Sequence, residues 1–122
     1  MTILGLRTAI YPVPDLAAGK LFYSAVLGTA PYFDEPYYVG FRVGGFELGL
    51  LPDEKPGVDG TQAIWGTADI DAEYARLLSI GATPLVPVND VGGGIRVADV
   101  LDPFGNRFSI IENPHFDPAA VR

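Results

Sequence analysis

The sequence predicts an α+β fold: two βαβββ modules pairing into a curved mixed sheet, with the helices on its outside. Three observations carry this. Residues 8–16 (Thr-Ala-Ile-Tyr-Pro-Val-Pro-Asp-Leu) return in altered form at 62–70 (Gln-Ala-Ile-Trp-Gly-Thr-Ala-Asp-Ile), with Ala9/Ala63, Ile10/Ile64 and Asp15/Asp69 each 54 positions apart. Self-similarity at one spacing marks a repeated structural unit. Each copy then continues as a helix, a glycine and three short strand-like runs. Finally, 15 glycines and 11 prolines among 122 residues suit short strands joined by tight turns better than a helical bundle.

In chain order, the first strand ends before Asp15, which stands where a helix cap should accept from the first-turn amides. A helix over roughly 15–27 follows, with Leu16, Lys20, Tyr23 and Leu27 along one stripe and Gly28 as its left-handed stop. Strands are expected at about 30–35, 37–43 and 46–51, the last two joined by Gly44-Gly45. Residues 52–60 are polar and rich in breakers, so they read as a linker. The second copy repeats the order: a strand, Asp69 as cap, and a helix over roughly 69–80 with Ile70, Tyr74, Leu77 and Leu78 facing the core. Gly81 stops it, and strands follow at about 83–89, 94–101 and 107–112, with Pro103-Phe104-Gly105-Asn106 turning between the last two. The chain 1–122 is thus one domain made of module 1–51, linker 52–60, module 61–113 and tail 114–122. A module of about 55 residues closes little core alone, which is why the two should pair into one continuous sheet.

Composition narrows the chemistry. With no cysteine, the chain cannot build a disulfide scaffold, an iron–sulfur cluster, thiolate zinc or a cysteine nucleophile. A single histidine, His115, removes most imidazole metal and acid–base sites. Eight Lys and Arg against fifteen Asp and Glu leave a net charge of −7, the wrong sign for phosphate backbones or anionic lipid. No apolar run approaches a membrane span and no signal-peptide pattern opens the chain, so a cytoplasmic protein is expected. The Gly92-Gly93-Gly94 run lacks the lysine, hydroxyl and strand-to-helix setting of a phosphate cradle, and is expected to be a hairpin loop.

Asp15-Leu16 before a helix ending in Leu27-Gly28, together with Leu101-Asp102-Pro103-Phe104-Gly105-Asn106-Arg107 before the last strand, resembles the vicinal oxygen chelate superfamily. That family holds glyoxalase I, bleomycin-resistance proteins, fosfomycin-resistance enzymes and extradiol dioxygenases. The resemblance covers residues 3–113 and implies a sheet curved into a cup whose concave face holds the ligand. It also implies a cup completed within one chain or by module exchange in a homodimer.

In the chelating members a His seven residues before each cap Asp, and a Glu in each closing strand, hold a metal. Carried over position by position, those four ligands become Thr8, Gly49, Gln62 and Ser109. Neutral hydroxyls and an amide cannot replace the hydration of a divalent ion in a low-dielectric cup, so no metal and no cofactor is expected.

Strand alternation then sets what faces the cup. Thr8 pointing inward takes Ile10 and Leu6 with it; Gln62 takes Ile64 and Gly66; Ser109 takes Arg107 and Ile111; Gly49 takes Glu47 and Leu51. Tyr38 with Arg42, or Arg96, is a further candidate. The expected ligand-binding set is therefore Thr8, Ile10, Tyr38, Arg42, Glu47, Gln62, Ile64, Ser109 and Ile111. Bland roles are available for several of these. Thr8, Gln62 and Ser109 can bond one another across the sheet, and Glu47 can pair with Arg42. The cluster Tyr32, Phe33, Tyr37, Tyr38 and Phe41 either packs as plain core or stacks a planar or cationic ligand. His115 reads as a solvated tail residue unless the tail folds over the cup mouth.

Three functions follow. One is a metal-independent binder of a small organic molecule, cationic or aromatic, of the drug-sequestering kind and dimeric. Another is a metal-dependent lyase, isomerase or dioxygenase with ligands outside the expected positions (Glu47, Glu112, His115 of a neighbour). The last is a metal-free enzyme with Glu47 or Tyr38 as acid or base.

Overall fold

The computed structural model describes residues 6–117 and 119. Its elements are β1 (Thr8–Pro12), α1 (Leu16–Leu27), β2 (Phe33–Glu35), β3 (Tyr38–Val43), β4 (Phe46–Leu51), β5 (Ala63–Gly66), α2 (Ile70–Ser79), β6 (Thr83–Asp90), β7 (Arg96–Leu101) and β8 (Arg107–Glu112). The expected βαβββ unit is present twice. Each unit is a four-stranded mixed sheet, in the orders β1-β4-β3-β2 and β5-β8-β7-β6, with its first strand parallel to its last.

The sheets form two leaves rather than one unbroken ladder, and β1 supplies the reason. Its odd-numbered residues turn their backbone groups toward β4, as in Glu47 N–H to Arg7 C=O and Val13 N–H to Leu51 C=O, both 2.8 Å. Its even-numbered carbonyls face the second unit, where side chains meet them. Thr61 donates to Ile10 C=O at 2.5 Å and Asn106 to Pro12 C=O at 2.6 Å. Pro12 also has no N–H to offer a neighbouring strand.

Both helices start and stop as the sequence indicates. Asp15 accepts from Ala18 N–H at 3.1 Å, and Asp69 from Ala72 N–H at 3.2 Å. Gly28 closes α1 at φ 68°, a left-handed conformation that costs side-chain-bearing residues energy. The buried stripe of α1 differs from the expected one: it is Gly19, Phe22, Tyr23 and Val26, while Leu16 and Leu27 are half-buried. Lys20 points outward to Asp34, 2.8 Å away. Gly19 decides this rotation, because a Cβ there would run into Val13, so only glycine lets the helix settle onto the strands. The α2 stripe is as expected: Ile70 and Leu77 are buried, and Tyr74 and Leu78 pack against the core. Arg76 of α2 also donates to Ala25 C=O at 3.1 Å and Val26 C=O at 2.7 Å, occupying carbonyls in the last turn of α1.

The core sits between helices and sheets and joins the two units. Tyr11 stacks on Tyr23, and Trp65 on Phe108, each with ring centroids 5.8 Å apart. The Asp-Pro-Phe-Gly-Asn turn anchors this seam. Buried Asp102 accepts from Phe104 N–H (2.9 Å), Asn106 N–H (2.8 Å), the Asn106 side chain (3.0 Å) and the Tyr23 hydroxyl (2.7 Å). Burial, and then the Asp102 charge, push the Tyr23 phenol well above its ordinary 10. Among the described residues no helix is long and apolar enough to cross a membrane.

Candidate functional site

Residues paired across a ladder project to the same side of a sheet. In the first unit the pairs Thr8–Glu47, Ile10–Gly49, Gly40–Gly49 and Arg42–Glu47 place these residues on one face. Tyr38, two residues before Gly40, joins them, and so does Phe33 through its pairing with Gly40. This face lies opposite Leu48, Leu50, Val39 and Phe41, which are buried against α1.

Two glycines shape the floor. Gly40 and Gly49 face each other across β3 and β4, and neither carries a side chain to fill the space. Tyr38 fills it instead: its ring and hydroxyl lie where a Cβ on Gly49 would stand. From there Tyr38 donates to one oxygen of Glu47, while Tyr32 donates to the other. The Arg42 guanidinium lies 4.2 Å from the Tyr32 ring centroid, a cation–π contact. Burial, and then the bond to Glu47, raise the Tyr38 phenol; at Tyr32 the Glu47 bond is the main cause of its rise. Phe33 meets Tyr37 and Tyr38 edge to face, at 6.2 and 5.9 Å between centroids. Tyr32, Phe33, Tyr37, Tyr38, Glu47 and Leu51 enclose an open pocket of about 380 Å³.

The corresponding face of the second unit is occupied by its own side chains. Ladder pairs put Ile64, Ser109 and Asp99 together, with Ile111 and Arg107 in the same phase. Asp99 stands opposite Ser109 as Gly40 stands opposite Gly49. It is buried and binds Arg107 through Nε at 2.9 Å and through a terminal nitrogen at 2.5 Å. Gln62 donates to Ser109 Oγ at 3.4 Å.

Tyr38 and Glu47 meet in the pocket, and Arg42 stands beside it over Tyr32 rather than on Glu47, so the Arg42–Glu47 pair does not form. Thr8 and Ile10 lie exposed on the same face, one strand away. Gln62, Ile64, Ser109 and Ile111 belong to the second face. Of the expected mutual bonds among Thr8, Gln62 and Ser109, the Gln62–Ser109 bond is present. Arg96 is corrected: it pairs with Glu112 across β7 and β8 on the helix side, bonding Glu112 at 3.0 Å and Asp71 at 2.9 Å. The aromatic cluster divides, Phe41 going to the core and the other four to the pocket. His115 turns its Nε2 to Gly93 C=O, 2.7 Å away, so the tail rests on the triglycine turn.

Sequence reasoning missed Asp99 as a partner of Arg107, and missed that Gly49 is bare so that Tyr38 can lie over it. The alternation fixing Ser109 inward also fixes Asp99 inward, which was a usable signal. The fold of Tyr38 over Gly49 depends on a side-chain torsion and left no such trace.

The donor set does not fit the metal that the family implies. At the Glu position of the first unit stands a glycine covered by a phenol, and Ser109 is already bonded to Gln62. Glu112, an alternative carboxylate, accepts from Ile70 N–H at 3.1 Å and from Arg96. Those bonds hold its carboxyl below the usual 4.5. Among the described residues no three of His, Asp and Glu stand close enough to share an ion.

Comparison with known proteins agrees with this architecture. The family described as "Glyoxalase/Bleomycin resistance protein/Dioxygenase superfamily" matches residues 5–110. An uncharacterized protein of Mycobacterium bovis is 30% identical over 105 residues, covering 75% of this chain and 68% of its own length. The chain spans 61–68% of the curated relatives it matches. Among solved structures, a lactoylglutathione lyase from Agrobacterium tumefaciens aligns with TM-score 0.75 and 20% identity, covering 93% of this chain and 98% of that one. A bleomycin resistance determinant encoded on transposon Tn5 aligns with TM-score 0.72 and 20% identity, covering 90% and 98%. At that identity these likenesses show the fold.

Proposed function

The chain belongs to the Glyoxalase/Bleomycin resistance protein/Dioxygenase superfamily, and from that premise we propose that it binds a small organic molecule in a metal-free cup, as a sequestering protein. The observation that carries this reading is the first unit's floor: an aromatic pocket of about 380 Å³ around a carboxylate, at the face where the family's metal would stand. Its volume falls within the range of small-molecule sites, and its lining has their character, apolar walls with a few placed polar groups. We take 1–51 and 61–113 as the two half-cups and 52–60 as their linker. The ligand rests on Tyr38, Arg42 and Glu47 with Thr8 and Ile10 beside it, while Gln62, Ile64, Ser109 and Ile111 form the opposing wall.

In this reading the protein is a cytoplasmic homodimer. Ile10 is 38% exposed and Ile64 54%, on faces that a ligand or a second copy would cover. A chain without cysteine gains no disulfide from an oxidising compartment.

A thermal-shift screen tests the proposal. Flat organic compounds, cationic drugs among them, should raise the melting temperature, and zinc, nickel and ferrous salts should not. No compound acting at millimolar concentration, or one tightly held transition metal per chain, would overturn it.

A further inference from the structure

Resting on that small-molecule reading, we infer that the Tyr32–Tyr38–Glu47 pocket is built for a protonated organic amine carried on a flat apolar body. The protons available in the pocket point to such a ligand. A phenol has one proton to donate, and both Tyr32 and Tyr38 spend theirs on Glu47. What these two hydroxyls and the carboxylate still present to the pocket is lone pairs. Tyr37, at the 62% exposed rim, is the remaining hydroxyl of the lining. A ligand must therefore bring its own donors, and an acceptor-only or anionic group meets lone pairs and a negative charge.

Charge points the same way. The ion pairs of the described residues engage Asp34, Glu73, Asp71, Glu112 and Asp99, and Glu47 is in none of them. Its negative charge is shared with two neutral phenols and directly ion-paired to no cation among the described residues. The nearest arginine, Arg42, lies over Tyr32, so this site already seats one cation on a ring face. The rings of Phe33, Tyr37 and Tyr38 offer further faces, which attract a positive group through their quadrupoles. The elevated phenols of Tyr32 and Tyr38 keep the arrangement protonated through neutral pH and above.

The test uses the intact protein and three probes of one shape at pH 7: 2-phenylethylammonium, 2-phenylethanol and phenylacetate. Titration calorimetry gives affinities, and amide chemical shifts give the location. The ammonium should bind about tenfold tighter than the alcohol, the alcohol tighter than the carboxylate, and shifts should centre on residues 32–38 and 47–51. Glu47→Gln should erase the preference for the ammonium over the alcohol. Tyr37→Leu, at an exposed position that does not endanger folding, should weaken the ammonium about threefold. Equal or tighter binding of the alcohol or carboxylate overturns the inference while leaving the small-molecule reading in place. So does failure of all three probes while another aromatic compound raises the melting temperature. If no compound acts at all, both fall together.

Discussion

The two cup faces descend from one pattern and have come to opposite states. In the second unit the floor is occupied by its own side chains: Asp99 holds Arg107, and Gln62 holds Ser109. In the first, the positions opposite one another are Gly40 and Gly49, and Tyr38 lies over the bare floor beside Glu47, lining an open aromatic pocket. The strand orders and the ladders at the floor are alike, although β6 is longer than β2 and shifts register. At the floor the difference therefore lies in which side chains the ladders display. On the proposed reading, a duplicated scaffold lets one half serve as a wall and the other as a receptor without altering its topology.

The contrast can be broken most forcefully at the turns. In the second unit the turn before the last strand is organised by buried Asp102 with its four donors; in the first it is Gly44-Gly45, with no such carboxylate. Asp102→Ala should cost about 3–5 kcal/mol in urea unfolding, because it orphans buried donors. Gly44→Ala, at φ 56°, should cost about 1 kcal/mol from left-handed strain alone. Equal losses would mean that the seam is not anchored where the structure puts it.

A smaller effect separates the floors. Gly49→Ala pushes a methyl group into Tyr38 and should destabilise by about 2 kcal/mol. Gly66→Ala, with open space around it, should stay within about 0.5 kcal/mol of the parent in the same assay.

Titration sharpens the picture without changing the fold. Followed by carbon-13 signals of the rings, Tyr32 and Tyr38 should ionise above 10, and Glu47→Gln should bring both down toward that value. A phenol raised in the folded state binds its proton longer than the unfolded chain does, so its contribution is complete below pH 10 and fades as pH climbs through the folded value. Glu112 behaves inversely. Its carboxyl is lowered by Ile70 N–H and by Arg96, so its contribution is complete above pH 4.5 and is lost as pH falls through the folded value. Glu112→Gln should flatten the acid limb of the stability curve; an unchanged limb would show that the carboxylate caps nothing.

Much of this was legible in the sequence because it is written in local rules. Caps at Asp15 and Asp69, stops at Gly28 and Gly81, and period-two alternation depend on neighbours a few residues away. The strands consequently fell close to their expected limits, and Glu47, Ser109 and Ile64 fell on the expected faces. The misses share another cause. The α1 stripe turned on Gly19 meeting Val13, Arg96 turned on Asp71 and Glu112, and the separation of the leaves turned on Thr61 and Asn106 reaching carbonyls of β1. Each is a specific side-chain contact between elements, some neighbouring in the chain and some as much as 94 residues apart, which periodicity does not encode.

The open face of the first unit is the proposed receptor, and organic molecules, not metal ions, are what it is proposed to receive. Amide chemical-shift mapping of the protein, titrated first with nickel chloride and then with small aromatic compounds, addresses both at once. The prediction is that nickel leaves Thr8, Gly49, Gln62 and Ser109 unmoved, while the aromatic compounds shift 32–38 and 47–51 most. Nickel broadening those four residues, or aromatic shifts confined to Asp99, Arg107 and Ser109, would contradict it.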